Sequence, residues 1–132
     1  MKPMCKPLAA ANAFPGKHVS SLHFDAINNT LSVLIDGPQF GHATVLFKSI
    51  VGFRVLDERD LCEYWNDYSE LNGWLYEVHS GGWIDLEKKR PLFNSHDFHK
   101  DLKEYFVVDD KCINVMTTET PEIIQTKEVE DA

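Results

Sequence analysis

Apolar and polar residues alternate in four successive runs in the first half of the chain: Val19–Phe24, Thr30–Asp36, Ala43–Lys48 and Val51–Leu56. A period of two marks half-buried strands. In the last run Val51, Phe53 and Val55 alternate with Gly52 and Arg54. Asn28-Asn29 separates the first two runs and predicts a hairpin, and Asp36-Gly37-Pro38 ends the second. Two further hairpins are predicted downstream. One joins Trp74–His79 to Trp83–Glu87 around Ser80-Gly81-Gly82, with Trp74, Tyr76 and Val78 on one face and Leu75, Glu77 and His79 on the other. The second joins Phe106–Val108 to Cys112–Thr117 around Asp109-Asp110.

The period changes between Asp57 and Glu70, in DERDLCEYWNDYSE. Asp57 is a capping residue, Leu61, Tyr64, Trp65 and Tyr68 follow at helical spacing, and Asn72-Gly73 provides a stop. At about 100° per residue, Asp60, Glu63, Asp67 and Glu70 gather on the face opposite the apolar stripe. A second, short helix is expected from Ser95, with Phe98, Leu102 and Tyr105 turned inward. Strands come in runs with helices between the runs, which predicts an α+β fold built on a largely antiparallel sheet. Pro3, Pro7, Pro15 and Gly16 make residues 1–17 an irregular arm. Residues 18–117 form the expected single domain, and 118–132 an acidic tail in which Ile123 and Ile124 are the residues able to dock.

Charge sharpens this picture. Of the formal net charge of −8, residues 57–70 hold six acids against Arg59, and residues 118–132 hold five against Lys127. Nucleic-acid and anionic-membrane binding need clustered Lys and Arg, so neither is expected. The one dense basic run, Lys88-Lys89-Arg90, is short. Cys5, Cys62 and Cys112 are odd in number and widely spaced, which speaks against a disulfide framework or a zinc site. Cys62 and Cys112 read as small core residues, a usage that fits a reducing cytoplasm. No apolar stretch approaches the roughly 20 residues of a membrane span, and the run around Leu8 to Ala13 is too short for a secretory signal.

Candidate chemistry is sparse. His96 and His99 sit three apart, as in helical metal pairs, but Lys100 and Lys103 share their surroundings and no third ligand has a recognisable spacing. The four carboxylates of the acidic face suit acid–base work only beside an apolar shield, which the pattern lacks; such a face is more often solvated. Cys62 with His79 or His42 lacks the turn and orienting partner of a nucleophile, and Gly81-Gly82 forms no phosphate loop. Neither a metal nor another cofactor is expected. Trp65, Trp74 and Trp83, with Tyr64, Tyr68 and Tyr76, read first as a core where helix meets hairpin, and second as interface anchors beside the acidic face.

Two segments, VGFRVLDERDLCEYWN at 51–66 and GWLYEVHSGGWIDLE at 73–87, resemble small bacterial immunity proteins, particularly those of contact-dependent growth inhibition systems. The resemblance implies a cytoplasmic, non-enzymatic protein that binds and neutralises the toxic C-terminal domain of a specific effector, often a nuclease with a basic surface. The order of strands and helices is also similar to the Whirly nucleic-acid-binding fold, as architecture only, because the charge opposes that function. The expected partner-binding residues are Asp60, Glu63, Asp67 and Glu70, with Trp74 and Trp83 as anchors. The alternatives are a small enzyme using carboxylates or His96 and His99, and a regulatory interaction module.

Overall fold

Period-two alternation carries through directly into strands. A computed structural model describes residues 3–8, 18–37, 41–57, 59 and 74–126. In chain order the elements are β1 (Met4–Pro7), β2 (His18–Asp25), β3 (Thr30–Gly37), β4 (Gly41–Lys48), β5 (Ile50–Asp57), β6 (Leu75–Ser80), α1 (Trp83–Lys88), α2 (Ser95–Phe98), β7 (Lys103–Val107), β8 (Lys111–Thr117) and β9 (Glu122–Thr126). All strand pairs are antiparallel, in a four-stranded sheet of order β2-β3-β4-β9 and a five-stranded sheet of order β1-β6-β7-β8-β5. Antiparallel strand dominates, at 61% of the described residues, so the arrangement leans to all-β rather than to the expected α+β balance.

The two sheets share one core. Leu31, Val33 and Ile35 of β3 lie opposite Phe47, Val45 and Ala43 of β4, all essentially without exposure. The facing sheet contributes Leu75, Tyr105, Val107, Ile113 and Val115 to the same cluster. Rings meet across the sandwich at Phe47–Tyr105 (centroids 6.0 Å) and Phe24–Phe53 (5.2 Å). Burying each such side chain contributes roughly 1.5–3 kcal/mol, which makes this layer the main source of stability.

The crossings between the sheets are tight. Ser49 alone separates β4 from β5 and takes φ 52°, the left-handed conformation the reversal needs. Thr117 Oγ1 donates to Lys48 O at 2.5 Å and Ser49 Oγ donates to Glu119, tying the return crossing beside the first. The predicted Asp109-Asp110 turn is present between β7 and β8, and the Asp109 carboxylate accepts the Val19 N–H at 2.7 Å, clamping β2 to the other sheet. The Asn28-Asn29 hairpin also forms, with Asp25 accepting from Ile27 N and from both nitrogens of Asn28.

Four expectations are corrected. Residues 83–88 are helical, not the second strand of a hairpin, because Gly81 (φ 72°) turns the chain out of the sheet after Ser80. The resulting helix gains the i,i+3 pairs Asp85–Lys88 and Glu87–Arg90. The second helix is one turn, Ser95–Phe98 after an Asn94 cap; Phe98 points outward and Tyr105 belongs to β7. The N-terminal arm supplies edge strand β1, paired with β6. Within 118–132, residues Glu122–Thr126 form β9 against β4, since Ile123 opposite Val45 packs on the core. The expected helix over 57–70 lies outside the described residues except at Asp57 and Arg59.

Candidate functional site

The five-stranded sheet has a second face, turned away from the sandwich, and it carries polar chemistry. Register aligns Cys5, Val78, Glu104, Met116 and Gly52 in one row across all five strands. The next row holds Tyr76, Phe106, Asn114 and Arg54. Glu104 is 1% exposed, in the middle strand, beside Val78 and Met116. A buried carboxylate must find donors. Glu104 Oε1 accepts the Ile84 N–H at 2.8 Å, and Oε2 accepts the Trp83 N–H at 3.0 Å and Asn114 Nδ2 at 3.1 Å. It therefore serves as a long-range cap for α1, whose own cap residue, Gly82, has no side chain to do so. Burial raises the Glu104 pKa above the ordinary carboxylate range, against the opposing pull of these hydrogen bonds and of Arg54.

Arg54 extends the network. Its Nε donates to Asn114 Oδ1 at 3.0 Å, and its guanidinium lies 5.3 Å from the centre of the Trp83 ring. Trp83 Nε1 donates to Glu87 Oε1 at 3.1 Å, and Glu87 Oε2 accepts from Arg90 Nε at 2.6 Å. Those bonds, Arg90 first, hold the Glu87 pKa below its usual range. The edge of the Trp83 ring reaches Gly52, where any larger residue would meet it. One side of Trp83 thus closes the buried network. Trp83 also walls an open groove of about 510 Å³, bounded by Met116, Phe93, Leu92 and Phe98 among others. The size is ordinary for a ligand or side-chain site, and the lining is mixed: aromatic and aliphatic side chains with the Glu87–Arg90 pair, Asn94 and Ser95.

Of the expected binding residues, Asp60, Glu63, Asp67 and Glu70 lie outside the described residues. Trp74 is buried in the sandwich core and serves packing, not the surface. Trp83 is half-buried in the groove wall, where a ring can act as an anchor. Asp57, the first residue of the acidic stretch, stands at the end of edge strand β5 and is a third exposed. Hydrogen bonds from the backbone and then the side chain of Arg59, with Lys111 adding to them, hold its pKa at about 2.

Sequence reasoning missed Glu104, Asn114 and Arg54 as a unit. The available signal was a polar residue on the apolar parity of each strand: Glu104 in KEYFV and Asn114 in KCINVMT. Cys112 is fully buried, as expected, and Cys62 lies outside the described residues. Burial, with the Glu104 charge second, pushes the Cys5 thiol up to about 12, the opposite of nucleophile activation. His99 has extended backbone and lies past the end of α2. Among the described residues no group of three or more His, Cys, Asp and Glu stands close enough to hold a metal ion, and no helix is long and apolar enough to cross a membrane. Compared with protein-family models, curated proteins and solved structures, the chain matches none.

Proposed function

We propose that this chain is a cytoplasmic inhibitor of the immunity-protein type, which binds a basic protein domain and neutralises it by covering its active surface. The observation that carries this reading is the charge distribution. Residues 57–70 hold six acids against one Arg, and their first member, Asp57, is ionised, accessible and at a sheet edge. A concentrated negative surface speeds encounter with a cationic one, and close charge pairs then fix the register. Covering a nuclease's basic groove requires no chemistry from the inhibitor, so no metal or catalytic group is needed. A toxin domain is the partner class that the resemblance of 51–66 and 73–87 implies, and the Whirly-like layout belongs to the same reading as architecture alone.

The test starts with a pull-down from the source cell and mass spectrometry to name the partner. Asp60, Glu63, Asp67 and Glu70 are then reversed together to Lys in a protein confirmed to be folded. The expected result is a slower association rate, lower affinity and lost protection, with the wild-type rate falling as salt screens charges over about 8–10 Å. Unchanged rate, affinity and protection would remove these residues from the site. A substrate turned over by the purified chain, with no protein partner found, would overturn the function.

A further inference from the structure

Glu104 is buried, yet it lines a recess of about 120 Å³ shared with His79, Asp85, Lys88 and Lys103. That is room for several water molecules, so the recess gives protons a route to the carboxylate. A carboxylate offers about four acceptor positions. Three are filled, by the N–H groups of Trp83 and Ile84 and by Asn114 Nδ2. The fourth, on Oε1, has no donor among the described residues, and a proton can sit there without displacing the other three. Burial disfavours the charged form, so the fold takes up this proton above the ordinary glutamate value of 4.5.

The start of α1 depends on that charge. The helix has six residues, no side-chain cap of its own and no fully buried residue. A helix this short is not stable alone. The N–H groups that Glu104 accepts are its first two, and a charged acceptor holds them roughly twice as strongly as a neutral one. Trp83, the first residue of α1, is also a wall of the groove. Neutralising Glu104 weakens both bonds that anchor this end of the helix. It also removes the attraction between the carboxylate and Arg54, whose guanidinium lies against the Trp83 ring.

We propose that Glu104 is a proton-operated latch: uptake of one proton releases the start of α1 and sets the Trp83 wall of the groove free to move. The proton comes from water, the carboxylate becomes a neutral acid, and no bond between heavy atoms forms or breaks. The groups facing the carboxylate set the point at which the latch acts. Arg54 of β5 favours the charged form, and Cys5 of β1 is coupled to it as a neutral thiol. Asp85 and Lys88 of α1, His79 of β6 and Lys103 of β7 line the recess, and Asn114 of β8 is neutral. The latch has a signature that acid unfolding lacks. On protonation the fold as a whole gains stability, because a buried charge is gone, while α1 loses its anchor. Simple acid unfolding would loosen both together. The proposal is independent of the immunity reading.

Amide hydrogen exchange of the full chain, followed residue by residue by NMR from about pH 7 to about 4.5, reads the two parts separately. Protection at the Trp83 and Ile84 amides, corrected for the intrinsic pH dependence of exchange, should fall roughly tenfold as charged hydrogen bonds become neutral, while Phe106 and Val115 hold or gain protection. Glu104→Gln, which cannot titrate, should start with low protection at both α1 amides and show no pH response. Arg54→Met removes the facing positive charge and should move the midpoint of the response to higher pH, and His79→Gln should leave it in place. Circular dichroism confirms the fold of each variant; where Glu104→Gln does not fold, the other two variants decide. Unchanged wild-type protection at Trp83 and Ile84 overturns the proposal. So does a response that survives in Glu104→Gln, disappears in His79→Gln or keeps its midpoint in Arg54→Met, and so does an equal loss of protection at Phe106 and Val115.

Discussion

Replacing Gly82 with Ala adds one carbon at the point where α1 meets the sheet. An ideal Cβ there would lie 2.6 Å from Glu104 Oε2, 2.6 Å from Val78 Cγ1 and 3.0 Å from Glu104 Oε1. Gly82 has φ −99° and ψ −149°, outside the left-handed region, and the penalty counted here is the steric one. Overpacking a filled site costs roughly 1–3 kcal/mol. Pushing the carboxylate aside weakens at least one charged hydrogen bond to the Trp83 or Ile84 N–H, a further ~1.5–3 kcal/mol. The stiffer unfolded chain returns about 0.4–1 kcal/mol. The net expectation is a loss of roughly 2–5 kcal/mol, a large part of the stability of a domain this size.

Urea unfolding reads this directly, because a loss of that size moves the midpoint by on the order of 1–3 M. Gly52→Ala is the matched control. Its added carbon would stand 3.4 Å from Trp83 Cη2, an ordinary contact, so its midpoint should move little. Val78→Ala makes room for half of the clash, and the double variant should be less destabilised than the two single losses added together. A Gly82→Ala midpoint indistinguishable from wild type, or a Gly52→Ala effect as large, would refute the cap geometry.

Acidification tests the same carboxylate. The Glu104 pKa is raised in the fold, so its charge costs stability at neutral pH, and that cost is relieved as pH falls toward the ordinary glutamate value of 4.5. Wild type should therefore gain stability relative to Glu104→Gln between pH 7 and about 5, by urea midpoints; a wild-type midpoint that stays constant or falls relative to that of Glu104→Gln would count against the assignment. Asp57, Asp25 and Glu87 have lowered pKa values, so what they contribute is present above the ordinary carboxylate range and is lost as pH falls through their folded values, near 2 for Asp57. Native protein should leave Cys5 and Cys112 unmodified by iodoacetamide while unfolded protein is labelled at both, read by peptide mass mapping; rapid native labelling of Cys5 would contradict its raised pKa.

Strand positions were readable because each run has one buried face and the alternation reports it without tertiary information. All four N-terminal runs lie in strands whose ends fall within two residues of the predicted ones. The errors fall where a local pattern served two conformations. WIDLEKK has apolar residues at spacing compatible with either state, and what decides is Glu104, some 20 residues on, supplying the acceptors a short helix needs. EIIQT read as tail because its core contact with β4 is long-range. The site was legible only at Trp83; the carboxylates that carry the charge argument lie outside the described residues except Asp57. Nothing local announces that Glu104, Asn114 and Arg54 belong together, since they come from three strands paired across the sheet.

A helix of six residues has little stability of its own. None of its residues is fully buried, so packing alone does not account for its position. What holds α1 is the bidentate acceptance of its first two N–H groups by Glu104 and the seat of Trp83 between Arg54 and Gly52. A hydrophobic residue at position 104 would remove a buried charge and, by area alone, suit the middle of a sheet better. It would also leave two helix N–H groups without an acceptor and free the Trp83 wall to drift. The carboxylate is thus placed where it fixes geometry at some expense in stability. The geometry it fixes is the groove, so Glu104→Leu should restore or raise the urea midpoint of Glu104→Gln while loosening Trp83, seen as a red-shifted, more quenchable fluorescence. A Glu104→Leu protein with both a lower midpoint than Glu104→Gln and an unchanged Trp83 environment would mean that the carboxylate serves stability alone.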